Sequence, residues 1–255
     1  MPRYFVKLAY RGTAYHGWQV QENAHTVQAE LNEKISLLCN EKVNVVGCGR
    51  TDTGVHAREF FLHFDLEKAL PFSQKDFVFR LNRFLPRDIA IYGVWEVPSR
   101  AHARFDAVSR TYCYYILLEK DPFACQLAMP FAGRLNLEAM QRAAKYLMEY
   151  EDFTSFSKLH TQTVTNICHI TEAGWKKKGN MLVFTITADR FLRNMVRAIV
   201  GTFVEIGKGK LQPDDMKIII EAKDRQYAGF SAPAQGLFLE EVKYPFQLKL
   251  NKQKQ

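Results

Sequence analysis

The sequence predicts an α+β fold with two ferredoxin-like (βαββαβ) halves, each placing helices on one side of a mixed or antiparallel sheet. Three observations lead to this prediction. Segments with the two-residue period of strands alternate with segments that have the 3.6-residue period of helices. The order of elements in the first hundred residues recurs in the second half. No low-complexity linker separates the halves, so we expect them to pack together and form one broad concave surface.

The first half is predicted to hold four strands and two helices. The strands are expected at residues 3–10, 43–47, 58–65 and 89–97. Thr26 and Ser73 are suitable caps for the two helices, and Pro86 ends the second one. The inward-facing residues of the first helix are Val27, Leu31, Ile35 and Leu38. Those of the second helix are Phe77, Leu81 and Phe84.

The second half repeats the order of the first. Its strands are expected at residues 108–118, 164–175, 181–188 and 236–244. Asn136 can cap a helix whose buried face consists of Met140, Ala143, Ala144 and Leu147. An amphipathic helix is expected over residues 191–207, and a short one from Pro213 to about Lys223. We therefore expect an N-terminal domain at residues 1–104, a C-terminal domain at 105–247, and a disordered tail at 248–255.

Composition limits the class of protein. Lys and Arg number 35 against 27 acidic residues, a net charge of +8, which suits a polyanionic partner such as nucleic acid. The five cysteines are scattered without a CxxC pair, which favours reduced thiols over a disulfide framework or a zinc site. The N-terminus lacks the pattern of a signal peptide, and the apolar runs are too short for a bilayer. A cytoplasmic protein is expected.

The run GRTDTGVHA at residues 49–57 is the strongest chemical signal. It sets Asp52 among a cation, two hydroxyls and two glycines, an environment that suits a poised catalytic carboxylate. The alternative is a tight polar turn in which Asp52 accepts bonds from nearby backbone N–H groups. DTG is also the aspartic-protease signature, but that chemistry needs two carboxylates sharing a proton. The chain has a single DTG, and the neighbouring Arg50 opposes proton sharing.

Arginines interrupt the apolar pattern of the predicted helix 191–207. Arg193 and Arg197 are four residues apart and would share one face of that helix. A buried arginine needs an anionic partner, and Asp52 is the natural candidate. The alternative is a partly exposed arginine that contacts solvent or a phosphate.

Other residues leave two interpretations open. Tyr112 and Tyr114 share one face of the strand 108–118, where they could stack on a base or fill the core. The aromatic loop at residues 15–19 could contact RNA or be a packed loop. Around the end of the second helix, Arg80, Arg83 and Arg87 could contact phosphates or form a solvated face. His56 and His63 have no evident third ligand, so no metal site is expected.

Three stretches of the chain together resemble a known family. Residues 49–57, 110–115 (RTYCYY) and 191–207 are similar to the three motifs of the tRNA pseudouridine synthase A family. Four further stretches resemble that family in the same order: YRGTAYHGWQVQ, HARFDA, EDFTSF and GFSAPAQGLFLEEV. The resemblance covers residues 3–244.

The resemblance implies isomerisation of uridine to pseudouridine at positions 38, 39 and 40 of the tRNA anticodon stem-loop, bound in a central cleft. It implies that Asp52 is the catalytic nucleophile, that Tyr112 stacks on the target uracil and that Arg197 pairs with Asp52. Residues implied in substrate binding are Arg50, His56, Arg110, Tyr112 and Arg193. It also implies a homodimer in which each tRNA spans both subunits, with no metal and no cofactor.

A non-catalytic RNA-binding protein built on similar sheets is the competing class. It would explain the charge and the element order. It would not explain an ionised aspartate in a cleft that binds a polyanion, where repulsion is unfavourable unless the carboxylate does chemistry. The residues leave open whether Asp52 attacks C1′, attacks C6 or removes the 2′ proton.

Overall fold

The structure, a computed structural model, describes residues 1–158 and 165–248. Within these residues it contains nine strands and five α-helices, which confirms the α+β class. Contacts divide the chain into unit 1, which comprises Met1–Val108 and the segment that begins at Leu239, and unit 2, Ser109–Phe238. The domain boundary expected between residues 104 and 105 stays a prediction, as does the cleft. Residues 249–255 of the expected tail lie outside the described residues.

Unit 1 has the predicted βαββαβ order. Its elements are β1 (Arg3–Tyr10), α1 (Val27–Cys39), β2 (Val46–Gly47), β3 (His56–Asp65), α2 (Gln74–Phe84) and β4 (Ile89–Val97). β1 lies between β4 and β3 and is antiparallel to both, while β2 pairs with β3. Tyr10 at the end of β1 faces Ala57 on β3 and Ile89 on β4, so these three positions mark one end of the sheet.

Unit 2 follows the same order with two additions, a short strand and a second C-terminal helix. Its elements are β5 (Ser109–Leu117), β6 (Met129–Pro130), α3 (Leu137–Tyr146), β7 (Ile170–Lys178), β8 (Met181–Ala188), α4 (Met195–Gly207), α5 (Asp215–Ala222) and β9 (Leu237–Lys243). β8 pairs antiparallel with β5 and β7, and β6 pairs parallel with β5. β9 starts in unit 2 and continues into unit 1.

The three predicted helix caps are confirmed. Thr26, Ser73 and Asn136 each accept a hydrogen bond from the backbone N–H three residues later, at 3.3, 3.1 and 3.0 Å. Such caps satisfy an N–H that the helix leaves without an intrahelical acceptor.

The second strand is shorter than predicted. Val43 N–H donates to Ser36 Oγ at 2.8 Å, and Val45 N–H donates to Asn32 Oδ1 at 2.8 Å. Side chains of α1 therefore take the backbone bonds of this segment, and only Val46–Gly47 remains as β2.

The inward orientation predicted for Phe84 is wrong. Its side chain is 44% exposed, while the next residue, Leu85, is 8% exposed. The helix ends at Phe84 and Leu85 has an extended backbone, so Leu85 takes the buried position that the helical period assigned to its neighbour.

The helix predicted from residue 191 begins only at Met195. Asn194 has φ +66°, a left-handed conformation that asparagine tolerates better than most residues, and its side chain donates to Ser231 Oγ at 2.7 Å. Arg193 therefore precedes the helix, and the shared helical face predicted for Arg193 and Arg197 is wrong. The predicted hairpin in unit 2 exists, with β7 running to Lys178; residue 164, its expected start, lies outside the described part.

Candidate active site

Asp52 lies in the loop that joins β2 to β3, at the end of the unit 1 sheet marked by Tyr10 and Ala57. The residue is half-buried, whereas Arg50 is exposed. The Asp52 carbonyl accepts a hydrogen bond from Val55 N–H at 3.1 Å, which closes a tight turn around the carboxylate-bearing residue. The turn confines the backbone of Asp52 while its side chain remains partly accessible.

A second loop, residues 12–18, supports this turn; we call it the supporting loop. Trp18 N–H donates to Thr51 O at 3.1 Å, and Gly54 N–H donates to Tyr15 O at 3.3 Å. Tyr15 and Trp18 are each 2% exposed. Of the two interpretations left open for the aromatic loop, the packed loop is therefore confirmed for these two side chains.

Two glycines of the supporting loop permit this close approach. A Cβ at Gly12 would stand 2.0 Å from Val55 O, and one at Gly17 would stand 2.5 Å from Thr51 O. Gly17 also has φ +89°, a backbone conformation that residues with a side chain rarely adopt. The loop can touch the Asp52 turn along its length only because these positions lack side chains.

Tyr10 and Thr51 join the turn to the sheet. Their hydroxyls are 2.8 Å apart in a buried hydrogen bond, and Thr51 is 7% exposed. Trp18 stacks on Phe60 with ring centroids 4.1 Å apart, and Tyr10 meets Phe60 edge-on at 5.4 Å. Sequence reasoning missed Tyr10, because nothing in its spacing indicates a partner 41 residues away.

The supporting loop is itself fixed by two elements, α1 and the start of β4. Val27 and Gln28, the first residues of α1, donate their N–H groups to Gly17 O and Trp18 O at 3.2 and 3.0 Å. Tyr15 Oη donates to Asp88 Oδ1, just before β4, at 2.7 Å. These bonds fix the supporting loop, and through it the Asp52 turn, relative to α1 and β4.

His56, the first residue of β3, also binds the supporting loop. It is 1% exposed, and its Nδ1 accepts a hydrogen bond from Gly12 N–H at 2.9 Å. A nitrogen that accepts carries no proton, so this contact requires Nδ1 to be unprotonated. The substrate-binding role expected of His56 stays a prediction, and the contact that the structure shows is with the loop.

Tyr112 and Arg110 lie on β5 in unit 2. Tyr112 is half-buried and meets Phe191 edge-on, with centroids 5.1 Å apart at 86°. Arg110 donates through Nη1 to Asp189 O at 2.8 Å. Tyr114, two residues further, is 0% exposed and belongs to the core, where burial raises the pKa of its hydroxyl. The two tyrosines therefore differ: Tyr114 is structural, and Tyr112 keeps an accessible edge.

Arg197 projects from the first turn of α4 and is half-buried. Its Nε donates to Ala232 O at 2.7 Å, and its own carbonyl accepts from Ala232 N–H at 2.9 Å. A Cβ on Gly201 would stand 1.7 Å from Phe230 O, so the segment that contains Phe230 and Ala232 packs directly against α4. Arg193 is exposed, and its carbonyl accepts from Lys158 N–H at 3.1 Å.

The predicted site residues thus form two groups. Unit 1 holds Arg50, Asp52 and His56 around one turn. Unit 2 holds Arg110, Tyr112 and Arg193. The contact between Tyr112 and Phe191 joins β5, which carries Arg110 and Tyr112, to the segment before α4, which carries Arg193. Within residues 1–158 and 165–248 there is no group of three or more potential metal ligands, and no helix is both long and apolar enough to cross a membrane.

Comparison with known proteins gives consistent matches. A family model described as tRNA pseudouridine synthase matches residues 143–245. The tRNA pseudouridine synthase A of Parabacteroides distasonis is 53% identical over 251 residues, covering 97% of this chain and 98% of the relative. That of Porphyromonas gingivalis is 53% identical over 252 residues (98% and 100%), and that of Bacillus subtilis is 40% identical over 241 residues (93% and 97%).

Proposed function

The chain belongs to the tRNA pseudouridine synthase A family, and from this premise we propose that it isomerises uridine to pseudouridine at positions 38, 39 and 40 of the tRNA anticodon stem-loop. It is an isomerase of the pseudouridine synthase type, which acts on tRNA. The observation that carries the proposal is Asp52, a half-buried carboxylate on a turn that is hydrogen-bonded to the supporting loop.

The reaction detaches uracil by breaking the bond from N1 to C1′, turns the base, and joins C5 to C1′. The proton on C5 is lost and N1 gains one, so the product has the atoms of the substrate. This balance requires no redox partner or transferred group, and we propose that the enzyme uses neither metal nor cofactor. Asp52 acts as the nucleophile. The turn around it supports that role, because a confined carboxylate loses less entropy on reaching the reacting atom.

Arg197 is proposed to pair with the Asp52 carboxylate and to hold it in position. The bond from Nε to Ala232 O supports this role, because it fixes the guanidinium of a side chain that otherwise has several rotatable bonds. Tyr112 is proposed to stack on the target uracil, with Phe191 holding the ring edge-on from behind. Both residues stand on regular elements of unit 2, which supports precise placement.

The base of a stem nucleotide must leave its stack before it can react, at a cost of a few kcal/mol. We propose that Arg50 places the flipped nucleotide and that Arg110 and Arg193 contact phosphates. His56 is proposed to act within the same substrate-binding group through its bond to Gly12. The basic net charge supports this assignment. We further propose that the enzyme works as a homodimer in the cytoplasm, with each tRNA in contact with both subunits.

The test is modification of an unmodified tRNA transcript that carries uridine at positions 38, 39 or 40. Carbodiimide labelling followed by primer extension should give new stops at those positions with the wild-type protein. Asp52→Asn keeps the size of the side chain and removes its charge, so it should abolish the stops and preserve tRNA binding. Binding without stops from the wild type would instead favour the non-catalytic RNA-binding class, and stops from Asp52→Asn would reject Asp52 as the nucleophile.

A further inference from the structure

The outer face of α2 carries aromatic and basic side chains that the proposed reaction does not use. Phe79 and Phe84 are 60% and 44% exposed, and Arg80 and Arg83 are exposed beside them. These four residues, with Arg87 just beyond the helix, are called the α2 surface. Phe79, Arg80, Arg83 and Phe84 line an open groove of about 510 Å³ together with Asp76.

Cations lie against the aromatic rings of this face. The guanidinium of Arg80 is 4.3 Å from the centroid of Phe72, and that of Arg83 is 5.9 Å from the centroid of Phe79. Lys34 of α1 approaches Phe84 at 5.1 Å. A guanidinium held on a ring face keeps its N–H groups directed along the ring plane, where an anion can reach them.

The helix under this surface is positively charged, although Lys34 of α1 is paired with Glu30 and Glu33 of its own helix. Helix α2 carries three basic residues, Lys75, Arg80 and Arg83, and one acidic residue, Asp76, which gives it a net charge of +2. Asp76 is engaged at the helix start, where its carboxylate accepts from Ser73 Oγ at 2.6 Å. The end of the helix that carries the arginines therefore has no acidic residue of α2 beside it.

The surface begins at the end of unit 1 that holds Asp52. Helix α2 leads through Arg87 to Asp88, which accepts hydrogen bonds from Tyr15 Oη and Arg11 N–H in and beside the supporting loop. From that end, the 11 residues of α2 extend for about 16 Å. Arg87, the last residue of the α2 surface, is thus the chain neighbour of a residue that contacts the supporting loop of the Asp52 turn.

We propose that the α2 surface binds a segment of the substrate RNA next to the reacting nucleotide. Arg80, Arg83 and Arg87 would contact phosphates, and Phe79 and Phe84 would lie against a base or ribose. The inference rests on the proposed function for the identity of the RNA. A second copy of the chain fits less well, because a two-fold interface centred on α2 would place the same arginines against each other.

The test is the salt dependence of tRNA binding by Arg80→Gln combined with Arg83→Gln. A plot of the logarithm of the binding constant against the logarithm of the salt concentration has a negative slope. Loss of two phosphate contacts should make this slope shallower by about 2 and weaken tRNA binding about tenfold at low salt. The matched control is Arg100→Gln, an exposed arginine beyond the far end of β4, where Val97 pairs with Arg3. The control should behave as wild type.

Phe79→Leu tests the aromatic part separately, because it keeps an apolar side chain and removes the ring. We expect about tenfold weaker tRNA binding with an unchanged salt slope. The proposal is overturned if the double variant and Phe79→Leu both bind tRNA like the control. It is also overturned if sedimentation shows that these variants lower the oligomeric state while each subunit keeps its affinity for tRNA. Wild-type turnover on the same transcript, measured in parallel, reports separately on the proposed function.

Discussion

At the residue scale, the hydroxyl pair of Tyr10 and Thr51 connects the proposed nucleophile to the sheet. Thr51 directly precedes Asp52, so its side-chain bond at 2.8 Å limits the rotation of the peptide that carries the carboxylate. The bond is buried, where a hydrogen bond is electrostatically stronger than in water. Tyr10 acts on the proposed nucleophile through Thr51 and is a positioning residue.

Tyr10→Phe should therefore reduce kcat about tenfold and leave KM nearly unchanged, because it loosens the turn and leaves RNA contacts in place. Thr51→Val should have a similar effect, and the two changes together should cost little more than either alone. Single-turnover rates measure this coupling, and urea unfolding reports the loss of stability separately. Additive effects of the two substitutions on the rate would contradict a shared positioning role.

His63 gives the fold a dependence on pH. Burial, followed by the positive charges of Arg3 and His102, lowers its pKa from 6.5 to about 4, while Asp65 and Asp106 act weakly in the opposite direction. Its Nδ1 accepts from Ala103 N–H at 3.1 Å, a bond that protonation of that nitrogen would break. The folded state therefore excludes a proton that the unfolded chain accepts.

Because the folded pKa lies below the unfolded one, the contribution of the neutral ring is complete above about pH 6.5 and is lost as the pH falls towards 4. The free energy of unfolding should fall by about 3 kcal/mol across this window. Urea unfolding at pH 7 and pH 4 measures the change. His63→Gln, which keeps an acceptor for Ala103 and does not titrate, should show a smaller loss; an equal loss would assign the pH dependence to other groups.

At the element scale, α4 and residues 229–233 operate as one support for Arg197. Gly229 N–H donates to Thr202 Oγ1 at 2.9 Å, and Tyr114 Oη on β5 donates to Pro233 O at 2.8 Å. The segment is thus tied to the helix and to a core strand on either side of Ala232. This arrangement explains how the one arginine of α4 keeps a fixed orientation.

Arg197→Leu should cut turnover about a hundredfold or more, because Asp52 would then lose the cation proposed to position and stabilise it. tRNA binding should stay within about threefold of wild type, since other cations supply most phosphate contacts. Arg197→Lys keeps the charge but loses the Nε bond to Ala232, so its rate should lie between those of leucine and wild type. A harmless Arg197→Leu in a single-turnover assay would reject the proposed pair.

At the scale of the whole molecule, the element order and the helix caps are predictable from sequence because they depend on local periodicity and on single capping residues. The errors are also local in cause: Asn194 has a left-handed backbone, and side chains of α1 take the bonds of residues 43–45. The Asp52 turn was predictable as a motif. Its support was not, because the contacts of Tyr10 with Thr51 and of Gly12 with His56 join residues more than 40 positions apart.

Unit 1 is completed by residues that follow unit 2 in the chain. Val242 N–H donates to Glu59 Oε1 at 3.0 Å, Val108 N–H donates to Lys243 O at 2.8 Å, and Tyr244 Oη donates to Ala103 O at 2.6 Å. During synthesis these partners leave the ribosome after all of unit 2 has emerged. The unit that carries Asp52 therefore reaches its final form only after unit 2 has been translated, and a nascent chain stalled before Leu239 should lack a completed unit 1.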